Sequence, residues 1–433
     1  MNAILLIIIS STILFFVAYK YKFITLSIYI IISGFQLTFI ERSSDEFYNL
    51  TIYKGFKARD LLLFTIIIAI LIRLIFNKDL RTTLKPILFP TILFTLWSLF
   101  SIIKNIPAYQ QSTVHEFSEK YLFIFAMFYI IVFFDRSDLK KLFKIFTVFP
   151  IFLVFIGAIF NGVTTGWDIG PAHRYLHSSI NLLLIESLSI LLIVNKYFFF
   201  KSKIISNFSI IFIVIMSIID GHRSVWLCAA SIIFFFLFLG EIKIKFQHAI
   251  IFLLIAFSLI NIFATKKYDI TTYFSERSTA FIDYKSDENS NWRMEAWIGA
   301  MELFNTNPIT GQGFGGYWYD LYFSSGKKVG YFPHSLYFMT LVKMGIVGML
   351  AFLFFSFRIG KYFMHGIKNL KNIDIQTYIL RIIGSIGIIN VFVYGLAYGL
   401  EYYSWLLIGL GLLSLKKTNN GELLSRDQIL LLK

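Results

Sequence analysis

Cysteine is nearly absent: Cys228 is the only one in 433 residues, so no disulfide forms within the chain, and its setting in an apolar run marks a small core residue. Charge is scarce too. Only 15% of residues are charged, against about 25% in ordinary soluble domains, while 57% are hydrophobic and 19% aromatic. This balance excludes a water-soluble globular chain in favour of a polytopic membrane protein. The apolar–polar alternation of a membrane β-barrel is missing. So are a short internal repeat and a pair of similar halves, which weighs against a transporter. No acidic cluster suited to a metal is evident; "DENS" (287–290) reads as a solvated turn. The N-terminus has neither a basic leader nor a small-residue cleavage site, and its lysines follow the apolar stretch. It reads as a retained first span with its N-terminus outside.

What is present is a series of apolar runs, each long enough to cross about 30 Å of hydrocarbon as a helix. They fall at 3–19, 23–40, 61–76, 86–103, 121–134, 142–160, 176–194, 204–219, 225–240, 248–264, 335–357, 379–398 and 403–415. The expected fold is all-α, a polytopic integral membrane helix bundle of about 12–13 transmembrane helices with one large periplasmic loop containing short helices. Alternate loops carry very different charge: those near Lys20, Lys78, Arg136, Lys196, Lys243 and Arg358, with the tail, are strongly basic, and the intervening set is slightly acidic. The basic set is cytoplasmic by the positive-inside rule, so the formal net charge of +15 implies no nucleic-acid partner. The domain layout follows: 1–264 N-terminal transmembrane helices, 265–333 a large periplasmic loop, and 334–433 C-terminal transmembrane helices with a cytoplasmic tail. Aromatic and glycine residues argue that the loop is ordered. Within it, Arg293 to Phe304 reads as a short amphipathic helix ended by Asn305 and Pro308.

Three residues on the outward side stand out: Arg223 in "DGHRSVWL", Arg293 at the start of the loop helix, and His334 just before the next span. Each alone has an ordinary explanation, as a snorkelling arginine, a local ion pair or a solvated histidine. Together, guanidinium groups match phosphate oxygens and an imidazole accepts a proton near neutrality, which suits a diphosphate-linked donor and a hydroxyl acceptor. Arg174 in "PAHRYLHSS" is a possible third phosphate contact or an interface anchor. The turn "GQGFGG" (311–316) lacks the strand of a nucleotide-binding unit and reads as a tight turn near glycan, with Tyr317 and Trp318 as stacking surfaces. Lys343, if buried, needs a partner, and Glu186 is the only carboxylate inside the expected spans.

Arg223 with Leu227, and His334-Ser335 followed after nine residues by Gly345-Ile-Val-Gly348, resemble the two periplasmic motifs of the bacterial O-antigen ligase family, whose superfamily includes repeat-unit polymerases. "NWRMEAWIGAMELFNTNPITGQGFGGYW" is similar to that superfamily's loop. The resemblance covers roughly 170–357; position 335 is Ser where the family more often has Asn, and Lys343 stands where many relatives are acidic. It implies a metal-independent, inverting membrane glycosyltransferase without cofactors, in the bacterial inner membrane with its active site facing the periplasm. The donor would be an undecaprenyl-diphosphate-linked glycan. The acceptor would be lipid A-core for a ligase, or another lipid-linked glycan for an O-antigen or capsule polymerase. Arg223 and Arg293 would bind the donor diphosphate and His334 would orient or deprotonate the acceptor hydroxyl. A polysaccharide flippase is the reading from another class. In a Cys228→Ala background, cysteines placed at 223 and 290 are expected to react with an impermeant thiol reagent from outside the cytoplasmic membrane. Labelling of either only after cell lysis overturns this topology.

Overall fold

A computed structural model describes residues 2–39, 51–53, 56–109, 113–114, 116–117, 121–165, 178–197, 202–220, 223–241, 288–315, 320–322, 328–330, 333–368, 373–396 and 402–416. Its architecture is all-α, a polytopic bundle, with two minimal antiparallel hairpins: β1 (Thr51–Tyr53) with β2 (Phe56–Lys57), and β3 (Asp320–Tyr322) with β4 (Lys328–Gly330). In chain order the helices of eight residues or more among the described residues are α1 (Asn2–Lys20), α2 (Lys22–Phe39), α3 (Ala58–Phe76), α4 (Lys78–Ile103), α5 (Ala126–Phe133), α6 (Leu139–Thr165), α7 (Ser178–Tyr197), α8 (Lys203–Asp220), α9 (Arg223–Phe238), α10 (Glu288–Thr306), α11 (Leu336–Lys368), α12 (Ile375–Tyr394) and α13 (Tyr402–Leu412).

Among the described residues five helices are long and apolar enough to cross a membrane: Lys78–Ala108, Arg136–Ile159, Ile180–Tyr197, Leu336–His365 and Ile375–Tyr394. These fall on the runs expected at 86–103, 142–160, 176–194, 335–357 and 379–398. The runs at 3–19 and 23–40 form adjacent helices bent by 118° at Tyr21, rather than two independent spans. The run at 121–134 is a 3-10 turn (Leu122–Phe125) leading into α5, whose every residue is buried. It is an internal element, too short to span and walled off by α3 and α13. The run at 248–264 lies outside the described residues. The loop helix starts earlier than expected, at Glu288, so residues 288–290 of "DENS" are helical and not a turn.

α4 shows how polar residues enter such a bundle. Asn77 caps it by accepting from the Leu80 N–H at 3.1 Å. The hydroxyls of Thr91, Thr95, Ser98 and Ser101 all turn back onto carbonyls four residues earlier, at 2.7 to 3.0 Å. Much of one face, including Phe89, Leu96 and Ile103, stays exposed as a lipid-facing surface should.

The deepest layer is α13, buried at every residue. Trp405 stacks on Phe355 of α11 with ring centroids 5.9 Å apart, and the Tyr403 hydroxyl donates to the Phe146 carbonyl of α6 at 2.6 Å. A Cβ on Gly411 would sit 2.6 Å from the Gly384 Cα, so the α12–α13 crossing depends on two glycines. Glu186 of α7 is fully buried and accepts from Asn390 (2.7 Å) and Ser404 (2.6 Å), tying α7 to α12 and α13.

The N-cap of α12 is Asp374, which accepts from the Thr377 N–H (2.8 Å) and hydroxyl (2.6 Å) and pairs with Arg136 at 2.9 Å. Burial by itself would raise this carboxyl; the Thr377 bonds and the Arg136 charge outweigh it and hold it below the ordinary carboxylate range. A depressed folded-state value contributes stability above the unfolded value near 3.9 and loses it as pH falls through the folded value. Asp374→Asn keeps a capping side chain but not the charge. It is expected to cost about 1–2 kcal/mol at neutral pH, with the difference in melting temperature from the parent vanishing in acid.

Candidate functional site

The site begins with a break in α11. Gly345 has φ 67° and ψ −171°, a conformation open essentially to glycine alone. The break releases backbone groups that a bilayer cannot satisfy, and five of them find partners in the 308–313 turn and Trp97. The Val342 carbonyl accepts from the Gln312 N–H (2.7 Å), that of Lys343 from the Gly313 N–H (2.9 Å), and that of Met344 from the Trp97 indole N–H (2.8 Å). The Ile346 and Val347 N–H groups donate to the Pro308 and Ile309 carbonyls at 2.9 and 3.3 Å. A Cβ on Gly345 would lie 2.2 Å from the Ile309 oxygen, and one on Gly311 (φ 70°) 2.5 Å from the Gly345 nitrogen. The glycine turn expected to lie beside glycan is, over 311–315, the plug of this break.

Residues beyond α4 hold the plug from the other side. Lys104 donates to the Gly311 carbonyl (2.6 Å) and the Thr310 hydroxyl (3.1 Å), and the Asn105 amide to the Gln312 (2.7 Å) and Phe314 (2.9 Å) carbonyls. The Phe314 ring sits edge-on to Phe117 and Tyr121. Glu116 accepts from the Gly315 N–H and pairs with Lys343 at 3.0 Å. Lys343 is buried as expected, but its partner is Glu116 and not Glu186, which is engaged with Asn390 and Ser404. Pairing by position within spans fails here because Glu116 reaches in from a segment between spans.

The second cluster surrounds His334. Its backbone has φ 38°, and among the described residues it is the only non-glycine with positive φ, a conformation costing on the order of 1–2 kcal/mol that surrounding contacts must hold. Before it, the Pro333 carbonyl accepts from the Trp297 indole N–H at 2.8 Å; after it, the Leu336 N–H donates to the Gly395 carbonyl at 2.8 Å. Trp297 also stacks on Phe338, with centroids 5.2 Å apart. The imidazole meets the Trp292 ring edge-on at 5.2 Å, and the half-buried Arg293 guanidinium lies 5.4 Å from the same ring. Thus Arg293 and His334, 41 positions apart in the numbering, share one aromatic neighbour. α10 is strapped to α11 at both ends, by its tryptophans near His334 and by Pro308 and Ile309 at the break.

Arg223 opens α9, and its side chain is outside what is described. Its backbone is placed by the opposite end of that helix. Glu241, just past α9, accepts from Lys196 (2.7 Å), Tyr197 (3.0 Å) and, in the first turn of α12, Tyr378 (2.6 Å). α9 packs along α12, so its start lies toward Gly395, which bonds Leu336 beside His334. Leu227 is 47% exposed. Arg174, Tyr317 and Trp318 lie outside the described residues. Sequence reasoning missed Trp292, Trp97, Asn105 and Glu116; Trp292 adjoins Arg293, whereas the others carry no local signal. No group of three metal-ligating side chains occurs among the described residues.

Breaking a buried ion pair costs more than replacing both members, since one charge is then left alone. Lys343→Met is expected to cost about 3 kcal/mol in unfolding measured in detergent. Adding Glu116→Gln should recover most of that, while adding Glu186→Gln should recover none.

The sequence was also compared with known proteins. Over 54% of this chain and 61% of the relative's length, a protein of Haemophilus influenzae named only as uncharacterized is 23% identical. The match therefore leaves more than a third of that relative uncovered. The family model described as O-Antigen ligase matches residues 208–353, a stretch running from α8 through the Gly345 break and holding Arg223, Arg293, His334 and Lys343. Over this segment the chain is similar to the O-antigen ligase family.

Proposed function

We propose that this chain is a membrane glycosyltransferase that moves an undecaprenyl-diphosphate-linked O-antigen polysaccharide onto lipid A-core, at the periplasmic face of a bacterial inner membrane. The 265–333 loop covers the site, and the transmembrane helices of 1–264 and 334–433 form its base. The observation that carries this reading is His334, held in a strained left-handed conformation with Arg293 on the same tryptophan, because such strain persists where a side chain must be aimed.

In this reaction the acceptor hydroxyl attacks the anomeric carbon of the donor, a new C–O bond forms with inversion, and the bond to the diphosphate breaks. His334 accepts the hydroxyl proton, contributing about 10²- to 10⁴-fold as a general base. Arg293 and Arg223 take up the charge that develops on the leaving diphosphate, an electrostatic contribution of about 10²- to 10³-fold for each donor group. Arg174 is a further phosphate contact. Tyr317 and Trp318 offer faces for sugar stacking.

In a strain that depends on this protein, Arg223→Ala, Arg293→Ala and His334→Ala are each expected to lower surface polysaccharide at least about 100-fold while the protein remains in the membrane. Unchanged surface glycan in all three removes the enzymatic reading. A lipopolysaccharide gel from a deletion strain identifies the acceptor. Core without polymer, with lipid-linked polymer accumulating, is the expected result. Core bearing a single repeat unit would instead make the chain a repeat-unit polymerase.

A further inference from the structure

A second charged centre lies where the ends of several apolar helices meet: the α1–α2 junction, the last turn of α3, the 134–138 connection and the start of the tail. Its two carboxylates are already taken. Asp138 is paired with Lys22, and Asp135 with Lys416 at 2.7 Å; Lys416 also donates to the Phe134 carbonyl at 2.6 Å. Two cations remain. The Arg73 guanidinium lies 4.8 Å from the Phe133 ring centroid, and the Lys141 ammonium 5.2 Å from that of Phe23. Among the described residues neither of these two, nor Lys20, has a hydrogen-bond acceptor or a carboxylate partner.

A continuous aromatic floor connects them. Tyr129 contacts Phe133 at 4.7 Å and Phe134 at 6.0 Å, and Phe134 meets Phe23 at 5.2 Å. Lys22 sits over both Phe23 and Phe134, at 5.4 and 5.2 Å. The charges of Lys416, Lys22 and Arg73 all act on Asp135, and Lys141 shares the Phe23 ring with Lys22, so among the described residues these cations outnumber the anions beside them. The margin of the patch is exposed and apolar or aromatic: Phe16, Tyr19, Tyr21, Ile75 and Phe76. That composition belongs to the level of lipid headgroups, where aromatic rings and lysines anchor span ends.

We propose that Arg73 and Lys141 bind the phosphate of an anionic phospholipid headgroup. Five guanidinium N–H donors without an acceptor among the described residues suit phosphate oxygens bidentately, Lys141 adds a point charge, and the exposed rings lie against the upper acyl chain. At the edge of the hydrocarbon, lipid phosphate is the anion present at high local concentration.

The test uses the full chain in nanodiscs of phosphatidylcholine with and without phosphatidylglycerol, read by thermal melting and by native mass spectrometry of retained lipid. Phosphatidylglycerol is expected to raise the melting temperature of the parent and to remain bound. Arg73→Gln with Lys141→Gln should weaken its apparent affinity about tenfold or more, with melting in pure phosphatidylcholine unchanged. Lys140→Gln with Lys144→Gln, an equal charge change at exposed positions of the same helix, should leave it intact. Should the first pair fold poorly, Arg73→Lys with Lys141→Arg, which keeps both charges, must retain the lipid. Equal effects of the two glutamine pairs, or none from either, overturn the site. So does inorganic phosphate stabilising the protein in phosphatidylcholine as strongly as phosphatidylglycerol does, since the ligand is then free phosphate.

Discussion

The half of this protein that holds His334 depends on how a broken membrane helix satisfies its backbone. At Gly345 the ladder of α11 stops and restarts, and an unpaired amide or carbonyl at that depth costs several kcal/mol. Three carbonyls before the break and two N–H groups after it are answered by the 308–313 turn and by Trp97. The loop helix is therefore fixed to α11 by main-chain bonds. Its position relative to His334 does not rest on side-chain packing alone.

That arrangement makes the N-terminal third a structural partner of the family segment. Residues 208–353 supply the break, the turn and the His334 cluster, but the turn is held on its far side by Lys104 and Asn105, and Glu116 neutralises Lys343. Lys343 at this buried position would be costly without that carboxylate. One acidic residue from a connecting segment thus permits a lysine in the helix that follows His334.

His334 itself is aimed from both sides. Trp297 fixes the carbonyl preceding it, Gly395 at the end of α12 fixes the residues following it, and Trp292 borders the imidazole and Arg293 together. Because α12 also meets α9 through Tyr378 and Glu241, a single helix relates the His334 turn to the element that begins at Arg223. The strain at His334 is stored in this frame, as expected where geometry and not packing decides what a residue does.

Much of this was legible in the chain. Scarce charge and long apolar runs determined an all-α membrane bundle, because hydrocarbon admits few other backbones. Short motifs around Arg223, His334 and Gly345 pointed to the family, since spacing along one chain survives in the sequence. Spans were read less well where apolar character came from burial in protein rather than in lipid: α5 is as hydrophobic as a span, yet it is an interior element. What only the tertiary structure decided was who meets whom across long separations. Hydropathy and local spacing contain no term for Lys343 with Glu116, for the 308–313 turn with the α11 break, or for one tryptophan between Arg293 and His334. Those pairings exist because each buried charge and backbone group had to find a partner in three dimensions.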